Sequence, residues 1–126
     1  HYAILNLPEV GKELVVVWSS DEGISNINPS RGIKHAFDNC LKKIKHLNAK
    51  PLGLTNCLNF GHPKDSMGAF VETVETLSAL CKKHDVPVVS GNVSLYNAYK
   101  NHSIKPTPIL VMVGTRRSQF NNLNLF

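Results

Sequence analysis

A chain of 126 residues, 42% of them apolar, has the length and composition of one globular domain with a small core. No apolar run approaches the roughly 18 residues that a membrane-spanning helix needs, and no charged-then-apolar leader opens the chain. The net charge of +5 admits an anionic partner, but no aromatic-rich strand carries a stacking motif, so neither nucleic acid nor membrane is an expected partner.

Ala3 to Leu7 is a short apolar segment closed by Pro8. Glu13 to Trp18, with three consecutive valines, is the clearest β-rich run. Ser19 to Ser30 is polar, contains Gly23 and Pro29, and reads as a loop. Ile33 to Leu47 predicts a helix: Ile33, Ala36, Phe37, Cys40, Leu41, Ile44 and Leu47 form one apolar stripe, with Ser30 as N-cap. Pro51 to Leu54 reads as a short strand that runs into a loop, Thr55 to Pro63. A second helix is expected from Ser66 to His84, capped by Asp65 or Ser66, with the stripe Met67, Phe70, Val71, Val74, Leu77 and Cys81. Val86 to Ser90 reads as a strand that breaks at Gly91. Tyr99 to Lys105 is a polar connection, and Ile109 to Val113 is the last strand.

The order β-β-α-β-α-β-β implies an α/β (α+β) fold, a mixed sheet with two helices on one face. The other face then needs a partner, by dimerisation or by docking on another domain. Residues 1–117 form the domain and 118–126 a tail or linker stub. The chain begins at His1 rather than Met, as an excised piece or a processed product would. Cys40, Cys57 and Cys81 are odd in number and widely spaced, which argues against a zinc site or a redox pair and fits a reducing, cytoplasmic setting. Cys40 and Cys81 fall on apolar helix faces and are expected to be buried. Lys42, Lys43 and Lys45, and again Lys82 and Lys83, lie near helix C-termini, where cations complement the dipole.

Chemistry is expected in two segments that follow strands, TNCLNFGHP at 55–63 and SGNVSLYN at 90–97. They carry amides, hydroxyls and glycines rather than acids. Gly61 and Gly91 allow close backbone approach to a ligand, and Asn92 and Ser94 offer oxygens to magnesium or bonds to phosphate. The alternative is that these are turn residues bonding their own backbone. Among the six histidines only His62 adjoins this chemistry; His35, His46, His84 and His102 read as surface residues.

These two segments, with PTP…MVG at 106–114, NPSRGIKHAF at 28–37 and AKPLG at 49–53, resemble the small-type phosphoribosylformylglycinamidine synthases over about residues 1 to 115. That family reads T-D-C-L-N-F-G-N-P, then P-V-V-S-G-N-V-S-L-Y-N. The resemblance implies the N-terminal domain of an aminoimidazole ribonucleotide (AIR) synthase-like unit, in the second half of the synthase, pairing through its open sheet face into a shared barrel. It implies part of an ATP-dependent ligase that converts formylglycinamide ribonucleotide to the amidine with glutamine-derived ammonia. The implied partners are the remaining domains of the synthase, a glutaminase and a small PurS-like subunit, or a homodimer for the excised piece.

By the same resemblance, Asn56 and Gly91 would contact ATP, Asn92 would help hold Mg, and Ser94 would touch the ribonucleotide. No catalytic residue is implied here, because the catalytic histidines belong to the first half; the chain alone would be inactive. Asn56 departs from the family's acid. Ser19, Asn39 and Lys43 stand where many members carry magnesium ligands of a second, pseudo-symmetric nucleotide site, so that site is expected not to bind. The alternative function is a non-catalytic scaffold with a degenerate pseudo-site.

Overall fold

The computed structural model describes residues 1–119. The expected tail at 118–126 lies, from residue 120 onward, outside the described residues. The chain runs β1 (Tyr2–Leu7), a 3-10 turn (Pro8–Val10), β2 (Lys12–Ser20), α1 (Glu22–Ile27), α2 (Pro29–His46), β3 (Lys50–Asn59), α3 (Pro63–His84), β4 (Val88–Ser94), β5 (Ala98–Tyr99), β6 (His102–Ser103) and β7 (Thr107–Arg117). The five long strands form one mixed sheet in the order β1-β2-β7-β3-β4, and β5 and β6 form a separate two-stranded pair. β3 and β4 are parallel, joined over α3, whereas β7 runs antiparallel to both β2 and β3. The expected α/β fold with its mixed sheet is therefore present, and all seven expected elements exist.

Several bounds differ from the sequence reading, and the 3-10 turn, α1, β5 and β6 are additional to it. The polar stretch after β2 holds a helix, α1, because the Asp21 carboxylate accepts from the Ile24 N–H and caps it. Pro29 is not a loop residue but the first residue of α2, where its missing N–H costs nothing. The cap of α2 is Asn28, bonded to the Arg31 N–H, rather than Ser30. Helix α3 begins at Pro63, capped by the ring nitrogen of His62 rather than by Asp65 or Ser66. Strands β3 and β4 extend through the two segments read as loops: β3 is held between β7 and β4, and this pairing overrides the poor strand propensity of Asn56, Asn59 and Gly91.

The core sits between the sheet and α2. Val15 and Val17 of β2, Leu54 of β3, and Leu110 and Met112 of β7 meet Ile33, Phe37, Cys40 and Ile44 of α2, all shielded from solvent. Gly32 lets α1 pack directly on α2, since a Cβ there would stand 2.5 Å from the Cα of Ser25. Helix α3 leans on α2 rather than lying flat on β3 and β4. Its buried face is Ser66, Thr73, Leu77 and Leu80, so most of the expected stripe is not core: Val71 and Val74 stay 43% and 39% exposed. Cys81 is likewise only half-buried. Thr73 fits the interior because its hydroxyl donates to the Ala69 carbonyl at 2.7 Å.

Cys40 is buried as expected, and burial pushes its thiol up to about 11, against the lowering pull of Lys43 and of a backbone hydrogen bond. The folded chain keeps this proton at pH values where an unfolded thiol, at 9.0, has lost it. Stability from this group is full below about pH 9 and is lost as pH rises towards 11. Urea unfolding at pH 7.5 to 10.5 should show wild type losing stability more steeply above pH 9 than Cys40→Ala. Equal slopes in the two proteins would remove the assignment.

Candidate functional site

The carboxyl ends of β2, β3 and β4 lie at one edge of the sheet, because these three strands run the same way. Such an edge is where ligands gather on α/β sheets. Here the chain beyond β3 and the chain beyond β4 are tied together by Asn97. Its amide donates to the Phe60 carbonyl at 2.9 Å, to the Ser94 carbonyl at 3.1 Å and to Ser94 Oγ at 2.9 Å. The Tyr96 N–H donates to the Gly61 carbonyl at 2.9 Å, in a left-handed backbone conformation with φ 62°. The Tyr96 ring stands edge-on to His62, centroids 5.0 Å apart. His62 is thus a cap and a ring contact: its Nδ1 accepts from the Lys64 N–H at 3.1 Å, and its own N–H donates to Ser103 Oγ at 3.0 Å. Asn97 was not singled out from sequence. Its place three residues after Ser94, at the end of a strand, is the turn signal that would have found it.

Strand alternation decides how the four expected site residues are placed. Asn56 is in register with Gly91 and with Leu110, a core residue, so the pair faces the helices. A Cβ on Gly91 would stand 2.7 Å from Asn56 Oδ1, so the amide lies directly over the glycine. Asn92 is in register with Cys57, and Ser94 with Asn59, on the opposite, open face. There the Cys57 thiol lies 3.8 Å from Asn92 Oδ1, and Asn59 Nδ2 donates to the Thr107 carbonyl at 3.2 Å. The fold brings Asn56 to Gly91 and Asn92 to Ser94, on the two sides of β4. β4 is an edge strand, so the two pairs are separated by one strand's thickness and an open rim.

On the helix side, α3 and the β3–β4 edge bound a cleft of about 310 Å³ lined by Asn56, Leu58, Val74, Leu77, Ser78, Cys81, Lys82 and Val88. Burial raises the Cys81 thiol above its ordinary value. The open face carries Leu14, Val16 and Trp18 of β2 beside Val113, Val111 and Ile109 of β7, an apolar strip without a helix over it.

Among the described residues no group of three or more His, Cys, Asp and Glu is placed to hold a metal. Asn92 supplies one neutral oxygen, which fits a single position in a magnesium shell and no more. Two strands across from Asn56, on β2, Ser19 is buried, the Lys43 ammonium donates to the Trp18 carbonyl at 2.6 Å, and the Asn39 amide lies 3.5 Å from the His35 ring nitrogen that pairs with Asp21.

Residues 3–116 match the family described as AIR synthase related protein, N-terminal domain, and the chain belongs to that family. Within it, the chain is 39% identical over 118 residues to the phosphoribosylformylglycinamidine synthase subunit PurL of Campylobacter hominis, covering 92% of this chain and 16% of that protein. It is 38% identical over 103 residues to the same subunit of Thermoplasma volcanium, covering 80% of this chain and 14% of that protein. The fold matches phosphoribosylformylglycinamidine synthase II of Thermotoga maritima with a TM-score of 0.85 at 28% identity, over 92% of this chain and 20% of that one. T. maritima PurL has been solved in complex with AMPPCP, ATP, ADP and FGAR. The chain therefore spans a small part of the length of its relatives, and the resemblance read from its motifs is borne out.

Proposed function

We propose that this chain is the N-terminal subdomain of the second half of a phosphoribosylformylglycinamidine synthase, ending near residue 117, and that it lends contacts to the ligase site. In the reaction, the γ-phosphoryl group of ATP passes to the amide oxygen of formylglycinamide ribonucleotide. Ammonia from glutamine then attacks that carbon, phosphate leaves, and the amidine and ADP remain. Such chemistry needs positioning and charge stabilisation more than a covalent protein group. On this reading Asn56 and Gly91 meet ATP, Asn92 gives magnesium one oxygen, and Ser94, held by Asn97, meets the ribonucleotide. The carboxylates of the metal shell and the catalytic groups come from other domains. The apolar strip on the open face supports pairing into a shared barrel with another such subdomain, or with a second copy when the piece is alone. A glutaminase, a small PurS-like subunit and a cytoplasmic setting complete the reading.

The observation that carries this is the retained SGNVS on an edge strand, with Asn92 and Ser94 on one face. Asn92→Ala in the full-length synthase is expected to lower kcat/KM about tenfold or more, with partial recovery at high magnesium. Unchanged turnover would instead favour the scaffold reading.

A further inference from the structure

We infer that Asn97 is a positioning residue for the ligase reaction: its amide fixes the Ser94 hydroxyl as a hydrogen-bond donor towards an acceptor oxygen of the ribonucleotide. This rests on the reading of Ser94 above and adds what orients that hydroxyl and which kind of atom it meets.

A serine hydroxyl rotates and can either donate or accept, so its partners decide what it presents to a ligand. Among the described residues the only hydrogen-bond partner of Ser94 Oγ is the Asn97 side chain, with Nδ2 at 2.9 Å and Oδ1 at 3.2 Å. Nδ2 also lies 2.9 Å from the Phe60 carbonyl and 3.1 Å from the Ser94 carbonyl. Both carbonyls can only accept, so the nitrogen of the amide, not its oxygen, must face them. The amide has two hydrogens for these acceptors: one goes to Phe60, and the two oxygens of Ser94 share the other. Ser94 Oγ thus receives a hydrogen from Asn97 and keeps its own to give away. Within the fold that hydrogen reaches only Oδ1, at 3.2 Å, which is long for a hydroxyl bond. An acceptor oxygen of the ribonucleotide at ordinary distance replaces it.

The amide is itself held in place from the backbone. The Asn97 N–H donates to the Phe60 carbonyl at 3.2 Å, and the Asn97 carbonyl accepts from the Ile104 N–H at 3.0 Å. The preceding residue, Tyr96, is left-handed at φ 62°, a conformation that a residue other than glycine keeps where its surroundings fix it. Closing this turn needs only a bond to the Ser94 carbonyl. The further bond to Ser94 Oγ is what a positioning role adds.

A double-mutant cycle on the full-length synthase, read by steady-state kinetics, tests this. Ser94→Ala and Asn97→Ala are each expected to raise KM for the ribonucleotide about tenfold, as the loss of one hydrogen bond would, with KM for ATP unchanged. The double variant should be no worse than either single one, because Asn97 acts through Ser94. Asn97→Asp, of nearly the same shape, gives a second reading where alanine unfolds the turn. Its carboxylate only accepts, so it takes the Ser94 hydrogen and should raise the same KM at least as much, an effect lost in the Ser94→Ala background. Additive losses, about a hundredfold in the double variant, or an equal rise in KM for ATP, make Asn97 a turn residue only and overturn the assignment. An unchanged ribonucleotide KM in Ser94→Ala fails the reading of Ser94 itself, and the assignment falls with it.

Discussion

Arg116→Ala is expected to destabilise the fold by about 3–5 kcal/mol, the usual cost of stripping one partner from a buried ion pair. Glu13 is 1% exposed on β2, and the guanidinium of Arg116 on β7 donates to it at 2.7 Å. A second nitrogen of Arg116 donates to the Leu47 carbonyl at 2.7 Å, just past the C-terminus of α2, where a cation also complements the helix dipole. Removing the arginine strands a carboxylate in the interior and uncaps that carbonyl. Urea unfolding should show the loss, and the double variant Glu13→Leu/Arg116→Met should recover most of it, because an apolar pair of similar volume avoids burying charge. A single Arg116→Ala variant within 1 kcal/mol of wild type would refute this account.

Gly32→Ala should cost about 1–3 kcal/mol, although alanine favours helix more than glycine does. The new Cβ would stand 2.1 Å from Ser25 Oγ and 2.5–2.6 Å from the Ser25 backbone. Because backbone is in the way, Ser25→Gly in the same chain should not rescue it. Hydrogen exchange should report the damage in α1, where amides lose protection before those of α2. A stabilised Gly32→Ala, as propensity alone predicts, would mean that α1 does not pack as described.

The sequence shows most plainly what its periodicity encodes. The stripe from Ile33 to Ile44 marks a helix face that is buried in full. Runs such as ELVVVW and ILVMV mark strands whose alternate residues are core. The stripe of α3 is legible as helix but not as burial, because which face a helix presents depends on whether it meets a sheet or another helix. Val74 and Cys81 therefore line a cleft instead of filling a core. TNCLN and SGNVS were least legible as structure. Asn and Gly argue locally for turns, and only the neighbouring strands hold them extended. The same residues pointed to chemistry through the family motif they match, since amides and glycines at a strand's end serve turns as readily as ligands. The Glu13–Arg116 pair had no local signal at all; its partners are 103 residues apart.

Strands that carry Asn56 and Gly91 on one face and Asn92 and Ser94 on the other are fixed in frame as well as in composition. Adding or deleting one residue within 54–59 or 88–94 would exchange the two faces beyond it, turning the cleft wall outward and the open-face oxygens into the helix layer. Length can change where no such exchange follows, as in the 97–106 connection that carries the small β5–β6 hairpin. In this fold the hairpin is one place where a lineage can add or lose residues, while in β3 and β4 an extra residue must be taken up as a bulge, as Val89 is beside Leu54 and Thr55.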